Sequence, residues 1–168
     1  MSEVVDSERI DFKLLDDEMV HIDTIHEEWH EYEVEDKTII KTKWVLMKII
    51  AYGEPNPDGT RLNRIGGQTL TVIHSPKEIR GPPDKTWTVT ELEPYITEPN
   101  ALFRQIQNGG INKYETEKAS IEAEYRVTQI DKTSKYDVEG MPSYIVRTST
   151  NYVVMQKEVQ SNPESNTQ

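Results

Sequence analysis

Residues 26 to 30 read HEEWH. On a helix, His-Glu-x-x-His sets two imidazoles one turn apart, so that both bind zinc while the glutamate stands beside the bound water as general base. His26 and His30 would be the metal ligands and Glu27 the catalytic carboxylate. A second group of residues could do different chemistry. Arg61, Arg64, Lys77 and Arg80 lie close in sequence to Trp87. Basic side chains interleaved with aromatic ones can track a phosphate backbone and stack bases, which is how single-stranded nucleic acid is held.

Each reading meets opposing evidence. Over its five residues the HEEWH stretch resembles the zincin metalloprotease motif, and that resemblance implies a zinc-dependent hydrolase. The motif in that family sits on a helix preceded by a sheet, with uncharged residues inside it and just after it. Here only 25 residues precede it, Glu28 and Glu31 are charged, and the only later histidine, His74, has no matching spacing. For the basic region, the chain as a whole carries −11, and a field of that sign repels a polyanion. Trp87 is equally well placed as a core residue. Neither a serine nucleophile elbow, a phosphate-binding loop nor a dinucleotide glycine fingerprint is present, and no Cys is available for thiolate chemistry or disulfides.

The charge is unevenly laid out. Residues 1 to 36 hold 14 Asp or Glu against Arg9 and Lys13, a net of −12. Residues 37 to 90 carry nine basic and four acidic residues, a net of +5. An acidic lead-in of this kind is expected to aid solubility and to lie against the basic middle of the same chain. No apolar run approaches the ~18 residues of a membrane span, and no signal peptide is visible, so a soluble cytoplasmic protein is expected.

The elements that would position these residues are mostly strands. Tyr32 and Val34 alternate with glutamates, Asp36-Lys37 marks a reversal, and Ile39 to Ile50 is the richest β-branched and apolar run. This predicts that 30–35 and 38–50 pair as an antiparallel hairpin. GEPNPDGT at 53–60 ends the long strand, and the chain returns through Ile65, Leu70 and Val72. Residues 18–29 suit a helix face or a strand equally well. Ile10, Phe12 and Leu14 suggest a short edge strand, Trp87 and Val89 another, and Asn100 is expected to cap a short helix over about 100–108. Alternation resumes from Ile121 to Val127, and Tyr144 to Val154 form the return strand.

The two long hairpins align at an offset of 81 residues. Trp44 matches Tyr125, Leu46 Val127, Ile49 Ile130, Gly59 Gly140, Ile65 Val146 and Val72 Val153. Either the chain is duplicated or two long hairpins align by shared pattern alone. Both readings predict a mainly β fold: an antiparallel sandwich or partly open barrel built from two long hairpins, with one or two short helices. The expected layout is an acidic extension over 1–24, a β domain over 25–158 and a polar tail over 159–168. The function expected is that of a non-catalytic binding or interaction module without cofactor, its partner a protein or ligand that the sequence does not name. The alternatives are the zinc hydrolase and the nucleic-acid binder through 61–87.

Overall fold

The computed structural model describes residues 18–58 and 62–157, except for the side chains of Glu18, Tyr52 and Leu62. The strand expected around Ile10, Phe12 and Leu14 lies outside this range, as do Gly59 and the tail. Among the described residues, two five-stranded antiparallel sheets make the fold. In the first, β4 (Ile39–Tyr52) pairs along its length with β5 (Leu62–His74). The other edge of β4 carries β3 (His30–Val34) at one end and β1 (Glu18–Met19) at the other, and β7 (Phe103–Gln107) adds to β3. In the second, β9 (Ala119–Tyr136) pairs with β10 (Pro142–Gln156). The other edge of β9 carries β8 (Asn112–Glu115) and β6 (Ile96–Glu98), and β2 (Asp23–His26) adds to β8.

The predicted hairpin of 30–35 and 38–50 is present, with His30 opposite Thr42 and Glu33 opposite Ile39. Its turn closes through Val34 and Thr38, whose main chains bond at 2.9 Å, and Lys37 takes the left-handed conformation at φ 71°. Residues 18–26 settle as the two strands β1 and β2. Both begin ahead of the expected 24/25 boundary, so the sheets take in residues from 18 onward. The helix expected over 100–108 is strand β7 instead. Asn100 does not cap it: its own N–H donates to Asp131 Oδ1 at 2.8 Å, in a left-handed turn at φ 53°. The strand expected at Trp87 and Val89 is a loop followed by helix α1 (Val89–Leu92). Thr88 and Glu91 cap that helix reciprocally, each side chain bonding the other's main-chain N–H. The bond from the Thr88 N–H, reinforced by Lys85, holds the Glu91 carboxyl down at about 2.

The two halves repeat each other strand for strand, β1–β5 against β6–β10. Equivalent residues are 81 apart from the long strands onward, and 82 apart in β3 and β8. The β3–β4 turn, spanned by Val34 and Thr38, is one residue longer than the β8–β9 turn, spanned by Thr116 and Ala119, and this accounts for the difference. Several features repeat at this spacing. Val20 N–H donates to Ile49 O at 3.0 Å and Ala101 N–H to Ile130 O at 2.8 Å. Tyr114 Oη accepts from Leu46 N–H at 3.4 Å and Tyr32 Oη from Val127 N–H at 3.3 Å. Each long strand has a bulge at the same place, leaving Met47 and Thr128 as the unpaired extra residues. The halves also exchange a strand: β2 pairs with β8 of the other half, and β7 with β3.

The core follows the exchange. One cluster holds Tyr32, Val34 and Ile40 with Ala101, Val127, Ile130 and Tyr144. The other holds Trp44, Leu46 and Ile49 with Tyr114, Ile121, Ala123 and Tyr125. Each therefore draws side chains from both sheets, and neither half closes a core alone.

Candidate functional site

A cavity of about 560 Å³ opens between the sheets, where β1, the end of β4, the start of β5, the end of β10 and the β8–β9 turn meet. Its size lies within the ~300–1,000 Å³ typical of ligand pockets. Alternation produces its lining. Ile49, Ile65, Ile121 and Val154 are inward-facing strand residues that form an apolar floor, with Val20 and Ala119 beside them. His21, Asp23, Asn63, Glu117, Lys118 and Gln156 supply polar groups toward the mouth.

The mouth is partly fixed. Lys157 Nζ donates to Thr116 O at 2.7 Å and lies 3.4 Å from Glu115 Oε2. Thr116 Oγ1 accepts from the N–H of Ala119 at 2.9 Å and of Lys118 at 3.3 Å, which holds the turn. His21 and Asp23 form an exposed pair at 3.1 Å, and such pairs contribute little to stability. The arrangement suits a ligand with an apolar body and a hydrogen-bonding end. Sequence reading missed this site because its lining is ordinary alternating strand residues, contributed by both halves.

The HEEWH residues are placed differently from the helical reading. His26 ends β2 in one sheet, residues 27–29 cross over, and His30 opens β3 in the other sheet. The stretch is not a helical turn, so the spacing that a zinc site of that kind relies on is not formed. Both imidazoles serve the Gly109 main chain instead: His26 Nε2 lies 2.6 Å from Gly109 O, and His30 Nδ1 accepts from Gly109 N–H at 3.3 Å. Glu27 accepts from the Tyr114 hydroxyl at 2.7 Å and pairs with Lys43 at 3.2 Å. Among the described residues, no group of three or more His, Asp or Glu is placed to hold a metal ion.

Those residues singled out for nucleic-acid binding that the structure describes do not all gather in one patch. Arg61 lies outside the described range. Arg64 is exposed near the start of β5, next to the cavity residues Asn63 and Ile65. Lys77, Arg80 and Trp87 follow the far end of β5, about 30 Å away at the usual rise per strand residue. Lys77 is exposed, and Arg80 Nε donates to Ser75 O at 3.0 Å. Trp87 Nε1 donates to Tyr136 O at 2.9 Å, and its ring meets Tyr95 edge-on with centroids 6.0 Å apart. Lys85 lies 4.4 Å from the Trp87 centroid, and Lys135 lies 4.1 Å from that of Tyr95. These lysines already occupy the ring faces that a base would stack on.

A second polar group sits deep between the sheets. His30 Nε2, Thr42 Oγ1, Asn112 Oδ1 and Tyr125 Oη are buried without a hydrogen-bond partner among the described residues. The Tyr125 hydroxyl faces those of Thr42, Thr69 and Thr148 but falls outside hydrogen-bonding geometry with each. Burial lowers the His30 pKa, since the charged imidazolium loses hydration. A depressed folded-state value means that the unfolded chain binds more protons between the two values. His30 therefore contributes stability that is complete above its unfolded pKa of about 6.5 and is lost as pH falls through the folded value. Asn112 is the equivalent residue in the other half. In His30→Asn the fall in melting temperature between about pH 7 and pH 5 should flatten relative to wild type. An unchanged slope would assign the dependence to another group.

Comparison with known proteins finds no matching family model, no similar curated protein and no similar solved structure.

Proposed function

We propose that this protein is a non-catalytic binding module that seats a ligand in the cavity between its two sheets. The observation that carries the reading is the cavity itself: an aliphatic floor formed by Ile49, Ile65, Ile121 and Val154 beneath a mouth of mixed polar groups. Burying a ligand against such a floor supplies affinity, and the few polar groups at the rim orient it. The HEEWH side chains that could have done metal chemistry are engaged within the fold. Glu27 is held by Tyr114 and Lys43, and His26 and His30 are engaged with Gly109.

Methyl-resolved NMR of the full chain against a chemically diverse fragment library tests the proposal. Ligands should shift the methyls of Ile49, Ile65, Ile121 and Val154 saturably, and leave Val127 and Ile130 of the other cluster in place. A library in which nothing moves the first group would overturn the proposal.

A further inference from the structure

We infer that the cavity takes a phenol-like group, a flat aromatic ring with a hydrogen-bonding tip, and that it is the open twin of a site filled by Tyr144 in the other half. The inference rests on the binding reading above and adds the ligand class.

The internal repeat provides the comparison. Asn63 pairs with Ala51 on β4, and Tyr144 pairs with Lys132 on β9. Both partners and both residues are 81 apart, so Asn63 and Tyr144 hold the same place in their hairpins. Tyr144 is buried, and the residues clustered with it include Ala101, Ile130, Ile40, Ile73 and Val146. Their equivalents are Val20, Ile49, Ile121, Val154 and Ile65, and all five line the cavity. The same aliphatic walls thus surround a tyrosyl ring at one end of the sandwich and an open space at the other. At the position of the ring itself the difference is one side chain: Asn63 is too short to cross the gap that the Tyr144 phenol fills.

The tip of the ring is treated differently at the two ends. The Tyr144 hydroxyl donates to Asp36 Oδ2 and lies 3.0 Å from Thr38 Oγ1, which in turn lies 2.8 Å from Ser75 Oγ. Asp36 falls in the turn that is one residue longer than its counterpart, Thr38 corresponds to Ala119, and Ser75 corresponds to Gln156. At the open end the fixed acceptors are therefore replaced by Gln156 and by Glu117 of the shorter turn, both on the cavity lining. Both side chains can accept from a hydroxyl, and the Gln156 amide can also donate to a carbonyl. The cavity also exceeds the volume of one phenol, so the ring subsite is its inner part and a larger ligand would extend to the mouth.

The test uses the full chain with p-cresol, which copies a tyrosine side chain, and with its ring-saturated analogue 4-methylcyclohexanol. Facing walls that hold a flat ring are overpacked by a thicker cyclohexane chair. The p-cresol shifts should saturate at Ile49, Ile65 and Ile121, and the analogue should bind about tenfold more weakly. In Asn63→Tyr the introduced ring should fill the subsite as Tyr144 does and abolish the p-cresol shifts. Equal affinity for the two compounds in the wild-type chain would overturn the inference, whether or not the variant folds. So would p-cresol shifts that persist in a folded Asn63→Tyr. If another fragment binds the cavity and p-cresol does not, the ligand class is wrong and the binding module stands. If no fragment binds, both readings fall.

Discussion

A chain that begins at residue 25 should not fold. The deletion removes β1 and the first half of β2, two short segments whose loss reaches both sheets. Val20 N–H bonds Ile49 O, Glu18 and Met19 pair with Ala51 and Ile50, and Asp23 and Thr24 pair with Glu115 and Tyr114. Val20 and Ile22 pack against the cluster of Trp44, Leu46 and Ile49. Half-burying two aliphatic side chains of this size contributes about 2–3 kcal/mol. Several main-chain hydrogen bonds would also be lost, each contributing about 0.5–1.5 kcal/mol. The sum approaches the ~5–15 kcal/mol that holds a typical domain together. Circular dichroism of the truncated chain should show no cooperative thermal transition where the full chain has one. A sharp transition near that of the full chain would mean that β1 and β2 are dispensable.

Much of this architecture was legible in the residues. Alternation around Tyr32 and Val34, the reversal at Asp36-Lys37 and the long run to Ile50 are local signals, and the hairpin forms where they placed it. The matches of Trp44 with Tyr125 and Ile49 with Ile130 reflect equivalent strand positions. The fate of residues 18–29 was not legible, because β2 is fixed by β8, about 90 residues later in the chain. For the same reason β7 read as a helix: Leu102, Phe103 and Ile106 fit a helical face, but pairing with β3 decides the outcome. The T-x-x-E signal at Thr88–Glu91 was available and marks the true helix. The charge asymmetry proves partly local. Glu27 pairs with Lys43 at 3.2 Å, Glu31 with Lys41 at 2.8 Å and Glu33 with Lys37 at 3.7 Å, all within one hairpin region. The cavity could not be read at all, since it depends on which inward residue is short, and only the comparison of Asn63 with Tyr144 shows that.

Replacing Trp44 by alanine should cost about 3–5 kcal/mol, the range for emptying a buried aromatic site. Trp44 is only 7% exposed, and its ring meets Tyr114 edge-on with centroids 6.2 Å apart. Its opposite wall is main chain. A Cβ on Gly67 would lie 2.1 Å from Trp44 Cζ2, so the indole lies against β5 where no side chain can stand. Glycine there is a matter of space: the strand yields its side chain so that the ring can reach it. The loss would therefore not be made good by a neighbour moving in, because Gly67 has no side chain to relax into the hole. Asn112 Nδ2 donates to Trp44 O at 2.8 Å and stays available to the alanine variant, so the cost is one of packing. Urea unfolding of Trp44→Ala should show a lower midpoint with an unchanged slope, as expected when stability falls and the area exposed on unfolding does not. A loss below about 1 kcal/mol would mean that the indole is not a core residue, and would remove the central strand from the account of what holds the two halves together.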